Sequence, residues 1–90
     1  MKILHFTADW CGPCKMMKPK IEAFKTEMGG RVDVQSINVD DNTELTSKYN
    51  IRNIPTFLFL NENEDVHAHL IGAQPITKFQ EIVSEYESQN

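Results

Sequence analysis

Apolar and polar positions change their period several times along this chain, and each change marks an element. Ile3, Leu4 and Phe6 lie within Lys2 to Thr7 as a near-continuous apolar run, which suits a strand covered on both faces. Met17, Ile21, Phe24 and Met28 then recur at spacings of four, three and four, one buried stripe of a helix that starts around Cys11–Pro13. Pro13 is tolerated in a first turn, where the amide it lacks has no helical partner. Pro19 falls inside the helix, where a kink is expected, and Gly29-Gly30 should end it with a left-handed cap. Val32, Val34, Ile37 and Val39 mark a second strand. Asp41 followed by Glu44 reads as a capping box for a short helix to about Tyr49, with Asn50 as its αL cap. Thr56 to Leu60 and Val66 to Ile71 form a strand pair around the polar turn Asn61 to Asp65, and Gly72 closes the pair. Ile76, Phe79, Ile82, Val83 and Tyr86 are the apolar face of a last helix, and Glu87 to Asn90 is a polar tail.

The order βαβαββα predicts an α/β fold. The first crossover makes strands one and two parallel, and the hairpin makes strands three and four antiparallel. Helices should cover both faces of one four-stranded mixed sheet. Ninety residues, 40% of them hydrophobic and 24% charged, fit one globular domain over residues 1–90. The net charge of −4, from 9 basic and 13 acidic side chains, argues against nucleic-acid binding by phosphate neutralisation. No apolar run approaches the ~20 residues of a membrane span, so no membrane is expected. The N-terminal apolar stretch is shorter than the ~7–15 residues of a signal-peptide core, which suggests a protein of the reducing cytoplasm.

The chain has two cysteines, Cys11 and Cys14. Separated by two residues, they staple almost no chain, so they are either a redox dithiol or half of a metal site. Residues i and i+3 at a helix start lie roughly 5–6 Å apart. That is inside the disulfide range of about 4.4–6.8 Å, so the pair can open and close with little backbone motion. Cys11 at the helix N-terminus meets unpaired amides and the positive end of the dipole, which favour a thiolate, the attacking species in disulfide exchange. Cys14, one turn inside and less exposed, suits the resolving role, and Lys15 adds a positive charge. The metal alternative would need His67 and His69, two apart on a strand and therefore on one face.

Trp10-Cys11-Gly12-Pro13-Cys14-Lys15, Pro19, Asn38-Val39-Asp40, Tyr49 to Thr56 and Gly72-Ala73 together resemble the thioredoxin family over nearly the whole chain. The resemblance implies a thioredoxin-like fold and a thiol–disulfide oxidoreductase, an electron-transport protein that reduces protein disulfides. Its redox-active centre is the Cys11–Cys14 disulfide, with no other cofactor and no metal. Partners implied are disulfide-containing proteins and a thioredoxin reductase or glutathione system as electron donor, with the chain a monomer. Pro55 matches the family's cis-proline. Trp10, Gly12, Pro13, Ile54, Pro55, Gly72 and Ala73 match the substrate-binding surface, with Pro55 and Gly72 holding the substrate backbone. Ile71 reads either as part of that groove or as core.

Three positions depart from the family pattern. An extra strand and helix usually precede the strand at Lys2–Thr7, so this is a minimal, glutaredoxin-sized version. His5 stands where a buried acid is common, Thr7 where a tryptophan is common, and Ser36 where a lysine often neighbours the acid. His5 is a candidate proton relay to Cys14, which would slow reduction at mildly acid pH. The alternative is a histidine that only fills the strand's inner face. Two other functions stay open: a glutaredoxin-like, glutathione-coupled reductase, and a non-catalytic subunit docking on a partner enzyme.

Overall fold

The computed structural model describes residues 1–89. Its elements are β1 (Lys2–Thr7), α1 (Gly12–Met28), a 3₁₀ turn (Gly29–Arg31), β2 (Asp33–Asn38), α2 (Thr43–Lys48), β3 (Thr56–Leu60), β4 (Val66–Ile71) and α3 (Ile76–Ser88). The strands form one mixed sheet in the order β2-β1-β3-β4. β1 runs parallel to β2, with Ile3 opposite Val34 and Thr7 opposite Asn38. β1 and β3 are antiparallel, as are β3 and β4.

Alternation along β1 divides the interior. On one face Ile3, Phe57 and Phe59 pack with Met17, Ile21, Phe24 and Met28 of α1 and with Phe79 and Val83 of α3. Phe79 touches three rings at once, those of Phe24, Phe57 and Phe59, so it joins both helices to the sheet. On the other face Leu4, Phe6, Ile37, Leu58 and Leu60 are covered by Leu45, Tyr49, Ile51 and Ile54, from α2 and the segment after it. Pro19 lies within α1 as expected.

Three local expectations are corrected. The capping box does not form: α2 starts at Thr43, its N-cap is Asn42, and neither Asp41 nor Glu44 makes the bonds expected of it among the described residues. The preceding turn is organised by Asn38 instead. Its Oδ1 accepts the Asp40 amide and its carbonyl accepts Asn42 Nδ2. Gly29 has φ 57° but ψ −132°, so it is not an αL cap; the chain turns there into the 3₁₀ segment. Asn50, with φ 52°, does take positive φ after α2.

The third correction concerns His67 and His69. The β3–β4 register slips between Phe59 and Leu60, so Leu60 pairs with Val66 while Phe59 pairs with Ala68. A bulge of this kind places one extra residue on one strand and reverses the facing of what precedes it. His67 therefore packs edge-on against Tyr86 of α3, whereas His69 lines a pocket with Tyr49 and Leu58 on the opposite side. They do not share a face. No group of three or more His, Cys, Asp or Glu side chains gathers as a metal site requires among the described residues.

Candidate active site

The sheet register brings the sequence-predicted residues to one end of the sheet. Thr7 of β1 lies beside Asn38 of β2, so the segments that follow, Ala8–Trp10 and Val39–Asp41, leave side by side. Phe6 pairs with Thr56, which pairs with Ile71, so the segment entering β3 and the one leaving β4 meet at the same end. There, Cys11 and Cys14 are joined in a disulfide with Cα atoms 5.3 Å apart.

Cys11 is the N-cap of α1. Its backbone is extended (φ −90°, ψ 108°) and its Sγ accepts the Cys14 amide at 3.2 Å. Gly12 and Pro13 follow in the first turn, exposed, and the Cys11 carbonyl accepts the Lys15 amide. The first turn carries no acidic residue, so nothing there opposes the positive end of the helix dipole. Both sulfurs are covered in the disulfide state: Cys11 is 5% exposed and Cys14 2%. The expected contrast in exposure is therefore slight, and the asymmetry lies in helix position and hydrogen bonding. Ala8, Val39 and Ile54 pack against the pair.

Around it stand exposed apolar groups. Trp10 is 69% exposed and Ile71 47%, which removes Ile71 from the core. The Ile54–Pro55 bond is cis, the isomer the resemblance implied. Gly72, at φ 84°, donates its amide to the Pro55 carbonyl at 2.8 Å. That bond ties the β4 exit to Pro55, so the two residues expected to hold a substrate backbone lie side by side. Ala73 is exposed beside it. Thr56 Oγ1 donates to the Asn53 carbonyl and closes the turn before Pro55.

Behind the disulfide lies a cavity of about 360 Å³, lined by His5 and Thr7 of β1, Ala8 and Asp9 of the following loop, Cys14, Lys15 and Lys18 of α1, and Ser36 of β2. Ser36 is there because it pairs with His5 in the parallel register. His5 is 4% exposed and stacks on Phe57, with ring centroids 4.5 Å apart and planes at 21°. Its Nε2 has no hydrogen-bond partner among the described residues. Burial pushes its pKa down from 6.5 to about 4. The imidazole is thus neutral through the mildly acid range, and the expected slowing there moves toward pH 4. An acceptor so weak is also poorly matched to a thiol of pKa ~8.5.

Two contributors had no assigned role in the sequence reading. Asp40 accepts the Trp10 indole N–H at 3.0 Å, and Lys18 reaches the cavity wall. Asp40 has no local signal, being thirty residues from Trp10. Lys18 carried one: it follows Cys14 by four, so it shares that face of α1.

The sequence profile described as Thioredoxin matches residues 1–85. The thioredoxin of Bacillus subtilis is 41% identical over 84 residues, 93% of this chain and 80% of that protein. The thioredoxin of Rhodospirillum rubrum is 44% identical over 80 residues, covering 89% and 76%. Among solved structures, a chloroplastic thioredoxin z superposes with a TM-score of 0.84 at 33% identity, over 97% of this chain and 78% of that one. A malarial protein superposes with a TM-score of 0.86 at 21% identity, covering 93% of each, and speaks to the fold alone.

Proposed function

This chain belongs to the thioredoxin family and is a thiol–disulfide oxidoreductase of the protein-disulfide reductase type, and we propose that Cys11 attacks and Cys14 resolves. The observation that carries this assignment is the place of Cys11 at the N-cap of α1, its sulfur accepting the Cys14 amide. A charge on that sulfur is stabilised by the amide and by the helix dipole.

In the reduced protein the Cys11 thiolate attacks one sulfur of a substrate disulfide. The substrate S–S bond breaks, its other sulfur leaves as a thiolate and takes a proton, and a mixed disulfide forms on Cys11. Cys14, as a thiolate, then attacks Cys11 Sγ. The second substrate sulfur departs and is protonated, and the Cys11–Cys14 disulfide is formed. Two electrons have passed to the substrate. Exposed Trp10, Gly12, Pro13 and Ala73, with Ile54 and Pro55, supply the surface that receives the substrate. Gly72, tied to Pro55 through its amide, stands beside it on that surface. His5 is not the resting acceptor of the Cys14 proton in this scheme, because its pKa is held near about 4.

Electrons return to the disulfide from a thioredoxin reductase in the cytoplasm, with the protein working as a monomer and without a further cofactor. No helix among the described residues is long and apolar enough to cross a membrane. The test is insulin reduction with either donor system. Turnover with NADPH and a thioredoxin reductase, exceeding that with glutathione and glutathione reductase, is expected. The reverse ranking would assign the protein to glutathione, and activity that survives replacement of both cysteines by serine would leave it a docking subunit.

A further inference from the structure

The geometry points to His5, Lys15 and Lys18 as positioning residues that stabilise the Cys14 thiolate across their shared cavity and so set the rate at which the mixed disulfide is resolved. The inference rests on the assignment of Cys14 as the resolving thiol and adds what makes that buried thiol reactive.

Cys14 is 2% exposed, and burial alone raises a thiol pKa. A slow resolving step would follow unless its surroundings favour the charge. Three groups on the cavity wall do so. His5 presents a buried Nε2 with no hydrogen-bond partner among the described residues, and its ring is fixed by stacking on Phe57. As the Nε2–H tautomer it is a donor waiting for an acceptor, and an anionic sulfur is a far better acceptor than a disulfide sulfur. Lys15 and Lys18 reach the same cavity from α1. The charged and titratable groups facing it are these two cations, the Asp9 carboxylate from the loop after β1, and neutral His5; Thr7 and Ser36 are uncharged. Two positive charges against one negative favour a thiolate.

The step balances without a protein base. Cys14 gives its proton to solvent, its thiolate attacks Cys11 Sγ, the bond between Cys11 and the substrate breaks, and the departing substrate sulfur takes a proton from water. At working pH His5 is neutral, so what it offers the thiolate is a hydrogen bond from Nε2–H and not a charge.

A symmetrical aromatic disulfide whose released thiol absorbs visible light separates the steps in stopped flow. The first thiol released reports attack by Cys11 and the second reports resolution by Cys14. In Lys18→Glu, an exposed position where folding is not at stake, the second phase should slow about tenfold at neutral pH while the first is little changed. His5→Leu should do the same. In a Cys11→Ser background, where Cys14 is the only thiol, its pKa followed by thiolate absorbance should rise in both variants. The second-phase rate should climb with pH to that pKa, with no step at lower pH in the parent protein. Equal slowing of both phases, no slowing, or an unmoved Cys14 pKa would overturn the inference. Absence of any first phase in the parent protein would instead remove the attack-and-resolve reading itself. If His5→Leu does not fold, Lys18→Glu and Lys15→Glu decide the matter.

Discussion

Trp10 Nε1 donates to Asp40 Oδ2 at 3.0 Å, fastening an indole that is otherwise 69% exposed to the loop after β2. The two residues meet because β1 and β2 are parallel and in register, so their following loops emerge together. Asp40 is itself held by its backbone N–H, which donates to Asn38 Oδ1 at 2.9 Å.

Removing this acceptor should loosen Trp10 with little effect on the fold. An exposed hydrogen bond contributes about 0.5–1.5 kcal/mol, so Asp40→Ala should cost no more than about 1.5 kcal/mol in urea unfolding. Trp10 is the single tryptophan, so its fluorescence anisotropy reports the change directly and should fall. Insulin reduction should weaken through KM more than through kcat. An unchanged anisotropy would show that the indole is held by packing instead.

In the reduced protein Cys11 should be the thiol that alkylates first. Cysteines at helix N-termini have pKa values lowered from ~8.5 into the range of about 3.5–7.5, whereas Cys14 sits one turn inside. Brief iodoacetamide treatment at neutral pH followed by peptide mapping checks it, and preferential labelling of Cys14 would exchange the two roles.

Two glycines near the site should respond in opposite ways. Gly72 has φ 84°, so Gly72→Ala should destabilise by about 1–2 kcal/mol and disturb the Pro55 contact. Gly12 lies in the first turn of α1, with nothing within 4 Å of the position a Cβ would take. Gly12→Ala should therefore hold or raise stability, by up to about 1 kcal/mol, since Gly lowers helix stability relative to Ala. Thermal unfolding of both variants measures the contrast. A destabilised Gly12→Ala would mean that the first turn demands more than open space.

His5 should make stability fall in acid. Its folded pKa, about 4, lies below the ordinary 6.5 of the unfolded chain, so the unfolded state binds the extra proton first. This contribution is fully present above pH 6.5 and is lost as pH falls toward 4. At 1.36 kcal/mol per unit the whole loss is about 3 kcal/mol. Urea unfolding of the disulfide form between pH 7.5 and 4 should show this slope in the parent protein and lack it in His5→Leu, the difference cancelling the common titration of exposed carboxylates. Parallel curves would mean that the imidazole gains solvent or a partner that the fold does not reveal.

The strand and helix bounds were legible because their signals are local: a run of apolar residues, a stripe at helical spacing, a glycine at a turn. The order of elements, the crossover and the hairpin then fixed the relative directions of β1 and β2 and of β3 and β4, though not the pairing of β1 with β3, and Cys11 and Cys14 lie close enough in sequence for a helix start to join them. What the sequence could not decide depends on partners far along the chain. The Asp41–Glu44 signature lost to Asn38, whose side chain and carbonyl organise the same turn. The β3–β4 bulge separated His67 from His69, because strict alternation holds only while the register does. Trp10 found Asp40, and His5 came to share a cavity with Cys14 and Lys18, through the pairing of β1 with β2 and the packing of α1 over them. Local sequence determined which elements form, since helix and strand periods are properties of neighbouring residues. Tertiary structure alone decided which side chains face the disulfide and how charged His5 can be, because register and burial exist only once the sheet has closed on its helices.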